Sequence, residues 1–141
     1  MTKENNLERF LSAQDRSYET ALSEIKKGRK ESHWMWYIFP QIQGLGSTET
    51  SRFYAIKNSK EAKQFLLHPV LGVRLIGLCN ELLQLNENSA TRIFGTPDDL
   101  KLKSSMTLFD SLNLDPVFSL VLEKFFNGAK DNKTLQRLSE K

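Results

Sequence analysis

The chain has 141 residues, enough for one domain with a single sizeable core, and its 39% hydrophobic and 26% charged content excludes a disordered polymer. Net charge is only +3, with cations gathered at 26–30 and again at Lys101 and Lys103, so the long basic stripe of a typical nucleic-acid binder is missing. One cysteine (Cys79) and two histidines allow no internal disulfide and no Cys/His zinc cluster, no uncharged run suits a membrane span, and the polar N-terminus lacks a secretory apolar region, which together point to a cytoplasmic setting.

In chain order, Leu7, Phe10, Leu11, Tyr18, Ala21, Leu22 and Ile25 fall on one face of a 3.6-residue repeat, which predicts an amphipathic first helix. Asn5, three residues before Glu8, suits its N-cap, and Gly28 suits its C-terminal stop. The aromatic stretch that follows does not keep to one face. Trp34, Met35, Trp36, Tyr37, Ile38 and Phe39 circle the axis, as in a buried segment, and Pro40 makes Phe39 a helix boundary. Gly44 and Gly46 then mark an ordered loop.

Asn58 and Glu61 form a capping box for a helix carrying Ala62, Phe65 and Leu66. His68-Pro69 interrupts it, and Pro69 is placed to start a helix with Leu71, Leu75, Leu78, Leu82 and Leu85 on its core face. A short helix over 89–94 closes at Gly95. Thr96-Pro97-Asp98-Asp99 is a strong start signal, with Thr96 as the cap and the proline at the first helical position. Asp115-Pro116 repeats the device before Val117 to Phe126, Gly128 stops that helix, and Asp131 caps a last one containing Leu135 and Leu138. Strand alternation is poor throughout. The reading is an all-α fold, a single compact domain over 1–141 of about seven short and medium helices with no significant sheet, residues 1–5 and 139–141 fraying.

Standard catalytic signatures are missing: there is no P-loop, no G-x-S-x-G, no H-E-x-x-H and no C-x-x-C. Two clusters remain. His33, Trp34, Trp36 and Gln41 place polar groups among aromatics, either as pocket lining or as a core helix with a surface histidine. Lys103, Ser104, Ser105 and Thr107 set an ammonium beside hydroxyls, which suits a phosphate, although solvated lysine and ordinary helical serines account for it equally well. Glu61 caps its own helix on the plainest reading. No metal site or cofactor is indicated.

The order of segments resembles an uncharacterised, mainly bacterial family, a domain of unknown function whose members are sometimes mislabelled calpastatin. The resemblance rests on Arg9-Phe10-Leu11, His33-Trp34-Met35-Trp36 with Phe39-Pro40-Gln41, Gly44-Leu45-Gly46, His68-Pro69-Val70-Leu71-Gly72 and Lys103 to Phe109, and it implies a mainly helical fold. Calpastatin inhibitory segments are disordered, which this composition does not match. Ser51-Arg52-Phe53-Tyr54 followed by Glu61 is also similar to a segment of the NADAR family, whose ligands are ADP-ribose-like; the histidine expected beside the glutamate is Ala62 here. That similarity implies Glu61 as the catalytic residue of an N-glycosidase-type hydrolysis.

The leading expectation is therefore a pocket for a small nucleotide-like or ADP-ribose-like ligand. Trp34, Trp36 or Tyr54 would stack a ring, Lys103 with Ser104, Ser105 and Thr107 would hold phosphate, and His33 and Gln41 would read polar edges. The alternative is a non-enzymatic protein–protein interaction domain that docks through 33–41. RNA binding through 26–30 is a third and less favoured reading. Convergence of His33, Gln41, Glu61 and Lys103 would favour the pocket.

Overall fold

Helix α1 (Glu8–Lys27) runs the length of the apolar stripe read above, burying Phe10, Ala13, Ala21 and Ile25 in a computed structural model that describes residues 6–140. Asn5, the expected N-cap, and residues 1–5 lie outside the described residues, as does 141; Ser139 and Glu140 are described, with Ser139 still helical. Gly28 closes α1 at φ +76: its N–H donates to the Ile25 carbonyl at 2.9 Å, while the Arg29 N–H reaches back to Glu24 at 3.0 Å. This paired closure satisfies carbonyls that the helix end leaves open.

Eight further helices follow among the described residues: α2 (Met35–Ile38), α3 (Glu49–Phe53), α4 (Ser59–Leu67), α5 (Leu71–Gln84), α6 (Ala90–Phe94), α7 (Asp98–Asp110), α8 (Val117–Phe126) and α9 (Asn132–Ser139). The fold is all-α. The count exceeds the expected seven partly because α3 is a single turn, capped by the Thr48 side chain accepting from the Ser51 N–H, and one turn is too short to show a period. The only β-type pairing among the described residues is one parallel bridge between Ile42 and Ile56.

Most start signals operate as expected. The Asn58, Ser89 and Asp131 side chains accept from Glu61, Arg92 and Thr134 N–H groups respectively. Two differ. Thr96 does not cap α7; the Thr96–Pro97 bond is cis, Pro97 takes the cap position, and Asp99 accepts a bond from Leu100 N–H. At the junction of α4 and α5, which meet at 83°, the His68 ring supplies the missing cap. Its Nδ1 accepts from the Val70 and Leu71 N–H groups at 3.0 and 3.2 Å. At the other end of α5, the Lys124 ammonium donates to the carbonyls of Leu82, Leu83 and Leu85, the place where a cation best complements a helix dipole.

Helix α7 is the hub. It packs on α4, α6, α8 and α9 and buries every residue from Ser104 to Phe109. That explains its weak amphipathic pattern: polar Ser104, Ser105 and Thr107 are buried while apolar Leu100 is exposed, so its faces do not segregate by polarity. Helix α5 lies between α1, α4 and α8 and buries Leu71, Leu75, Leu78 and Leu82. Cys79 is wholly buried there, its Sγ 3.6 Å from Met106 Sδ. No single helix among the described residues is long and apolar enough to cross a membrane.

Candidate functional site

The aromatic stretch divides into two halves with different surroundings. Trp34, Met35, Ile38 and Phe39 are buried, whereas Trp36 and Tyr37 are only half-buried, so the segment is not enclosed all round as its composition implies. Only one turn, α2, is helical. Trp34 is core: its ring packs on Phe39 and Phe94, and its Nε1–H donates to Glu24 at 2.8 Å. Glu24 also accepts from the Glu31 and Ser32 N–H groups and from the Ser32 hydroxyl. Burial by itself would raise the Glu24 carboxyl, but these bonds from Ser32, Glu31 and Trp34 outweigh it and hold the group down to about 2. Trp34 is therefore spent on locking the turn between α1 and α2.

Trp36 faces outward and lines an open cleft of about 430 Å3 together with Gln41, Gln43, Leu45, Tyr54, Arg52 and Arg137. Lys101 covers part of the indole, its ammonium 3.8 Å from the ring centre. Asp98 holds that lysine at 3.1 Å and Lys30 at 2.9 Å. Burial would raise the Asp98 carboxyl, yet the two ammonium groups outweigh it and keep it below the ordinary range. Tyr54 is positioned by Phe10, Tyr37 and Phe53, whose ring centres lie 6.0, 5.2 and 4.8 Å away.

The cleft floor is the loop predicted from Gly44 and Gly46. It is tied across the Ile42–Ile56 bridge, with Gln43 N–H to Ile56 carbonyl and Ile56 N–H to Gln41 carbonyl both at 2.8 Å. A Cβ at Gly46 would lie 2.7 Å from the Ser51 side chain, so glycine allows α3 to close on the loop. Polar lining groups include two guanidinium groups, two glutamines, Ser51 and Tyr54; no carboxylate lines the cleft among the described residues.

The remaining sequence candidates sit elsewhere. His33 is exposed and does not line the cleft; its carbonyl accepts from the Tyr37 hydroxyl. Glu61 is 2% exposed and both of its oxygens are engaged. Its oxygens receive both Arg9 guanidinium nitrogens at 3.2 and 3.3 Å and the Lys57 N–H at 2.8 Å. Arg9 in turn donates to the Phe53 and Ala55 carbonyls, so this pair clamps α1 to the segment that carries Tyr54. The capping box is thus only half reciprocal, because Glu61 turns from Asn58 toward Arg9.

Ser104, Ser105 and Thr107 are buried between helices, while Lys103 is half-buried at their edge. The Lys103 ammonium sits 5.9 Å from the Phe126 ring centre. Ser104 donates to the Leu100 carbonyl, and Thr107 donates to Lys103 carbonyl while accepting from Asp131 N–H, which ties α9 to α7. Ser105 is wholly buried, and its hydroxyl has no partner among the described residues. Enclosure by α4, α6, α8 and α9 keeps these hydroxyls from the cleft. Of His33, Gln41, Glu61 and Lys103, only Gln41 reaches it; Trp36 and Tyr54 join it there. Sequence reasoning missed Arg52 and Arg137. The second comes from the last helix, and no local pattern connects it to a loop 94 residues earlier.

Comparison with known proteins agrees with this helical architecture. Residues 4–138 match the family described as "Protein of unknown function (DUF1810)". The crystal structure of a conserved hypothetical protein from Mycobacterium tuberculosis is similar at 39% identity and a TM-score of 0.95, covering 99% of this chain and 100% of that one. No curated protein matches.

Proposed function

The chain belongs to the DUF1810 family of proteins of unknown function, and we propose that it binds a small nucleotide-like ligand in the cleft of Trp36, Gln41, Tyr54, Arg52 and Arg137. The observation that carries this reading is the meeting of two aromatic side chains with two guanidinium groups over a glycine-bearing loop, with no carboxylate among the described lining residues. Aromatic faces accept a planar ring, and guanidinium forks suit phosphate oxygens. Gln41 and Gln43 offer both donor and acceptor at the ring edge.

Binding is favoured over glycosidic hydrolysis. A glycosidase needs carboxylates with free lone pairs at the scissile bond. Glu61, the one carboxylate suggested for that role, already serves Arg9 and the Lys57 amide. Docking of a partner through 33–41 is also less favoured, because Trp34, Met35, Ile38, Phe39 and Pro40 are buried and leave little of that stretch to touch.

Calorimetric titration with nucleoside monophosphates tests the reading. Trp36→Leu should weaken binding by roughly 1–3 kcal/mol, the range for one lost stacking platform. Arg52→Ala with Arg137→Ala should weaken it further and flatten its salt dependence. No binding at millimolar nucleotide, or binding indifferent to all three changes, would remove the cleft as the site.

A further inference from the structure

The cleft does not end at Arg137. A second depression of about 580 Å3 adjoins it and shares Ile42, Gln43 and Arg137 with it. Lys57, Asn58, Ser59 and Lys60 line the far side. Arg137 thus stands as a partition, with aromatic rings on one side and lysines on the other.

The partition has a built seat. Gly44 lies at φ +97, and a Cβ there would come 2.5 Å from the Arg137 guanidinium carbon. Glycine therefore lets the guanidinium lie against the loop backbone as well as supplying the backbone angle. The Arg137 Nε–H donates to the Gln43 carbonyl at 3.3 Å, and the other end of the fork pairs with Glu140 at 3.3 Å. That ion pair has both side chains substantially exposed, at 39% and 52%. Exposed pairs of this kind are weak, so a doubly charged anion can take over the guanidinium from Glu140. Among the described residues the second depression adds the exposed Lys60 to Arg137, against this single carboxylate.

Resting on the small-ligand reading above, we propose that the site is built for a nucleoside diphosphate. The base lies against Trp36 and Tyr54, the first phosphate meets Arg52 and Arg137, and the second crosses the partition to Lys60. A nucleoside has no anion to use the far depression. A monophosphate carries one phosphate and fills only the near half. Inorganic pyrophosphate has no ring for the aromatic compartment.

The test is calorimetric titration of the full chain with nucleoside mono- and diphosphates of the four common bases, and with pyrophosphate. At least one diphosphate should bind ten-fold or more tightly than its monophosphate. Lys60→Ala, a change at an exposed side chain, should bring that diphosphate to the monophosphate level and leave the monophosphate unchanged. Arg137→Ala should weaken both. Equal binding of mono- and diphosphate, or a Lys60→Ala effect common to both, would overturn the two-compartment assignment and leave the small-ligand cleft standing. Pyrophosphate binding as tightly as the diphosphate would also overturn it, because the rings would then contribute nothing. Failure of every nucleotide to bind would remove both.

Discussion

Replacing Glu24 by glutamine should expose how much one carboxylate contributes to the turn that carries both tryptophans. Glu24 accepts four hydrogen bonds, three of them on one oxygen, from Glu31, Ser32 and Trp34. The gap between an ordinary 4.5 and about 2 corresponds to about 3.5 kcal/mol of linked stability, at ~1.4 kcal/mol per pH unit. The folded value is the lower one, so this contribution is complete above pH about 4.5 and is lost as pH falls toward 2. Glutamine keeps the shape but not the charge: its one acceptor oxygen has two lone pairs for the three donors, and the Ser32 hydroxyl can turn to accept from the new amide NH2. It resembles the protonated acid, so Glu24→Gln should cost about 2–3 kcal/mol at neutral pH and below about 1 kcal/mol near pH 2. Glu24→Ala leaves the Trp34 indole and two amides without an acceptor and should cost about 3–5 kcal/mol. Urea unfolding followed by tryptophan fluorescence at several pH values measures all three proteins. Asp98 also titrates in acid, and the comparison with Gln removes it because both proteins carry it. Equal losses for wild type and Glu24→Gln between about pH 5 and about pH 2.5 would refute the reasoning.

Three further outcomes can be checked directly. Arg9→Met should destabilise by about 3–5 kcal/mol in chemical denaturation, because it strands the 2%-exposed Glu61 carboxylate; adding Glu61→Leu should recover part of that loss, and no recovery would mean the pair does not act as a unit. Gly72→Ala should lower the thermal midpoint sharply, a cost of about 3 kcal/mol or more, since a Cβ at this buried position would run into the Leu66 carbonyl where α5 crosses α4; a midpoint within a few degrees of wild type would contradict that crossing. Cys79 should resist a thiol reagent until the protein unfolds, because burial first, and the Asp115 charge second, push its thiol well above the ordinary value; rapid labelling of the native protein would contradict its enclosure.

Some of the architecture was legible because its causes lie within a turn or two of chain. Asn58, Ser89 and Asp131 each cap a helix that begins at the next residue, and Gly28 and Gly95 each follow the last residue of one. The Leu71, Leu75, Leu78 and Leu82 spacing marks the buried face of α5 without reference to what covers it. Membership of an uncharacterised family was legible too, since its motifs stand in order along nearly the whole chain. Helix α7 shows the limit of this reasoning: its start was marked, but nothing local says that Ser104, Ser105 and Thr107 face into the molecule.

The sequence by itself therefore determined most of the helices, several of their ends and the glycine-bearing loop, because hydrogen bonding and apolar spacing act over a few residues. The tertiary structure decided which of two neighbouring tryptophans is core and which lines a cleft, since that depends on Glu24 of α1 and Lys101 of α7. It also decided that Glu61 answers to Arg9, 52 residues away, and that Arg137 of the last helix rests on the loop at Gly44. Such contacts follow from the packing of whole helices, which no short stretch of sequence encodes.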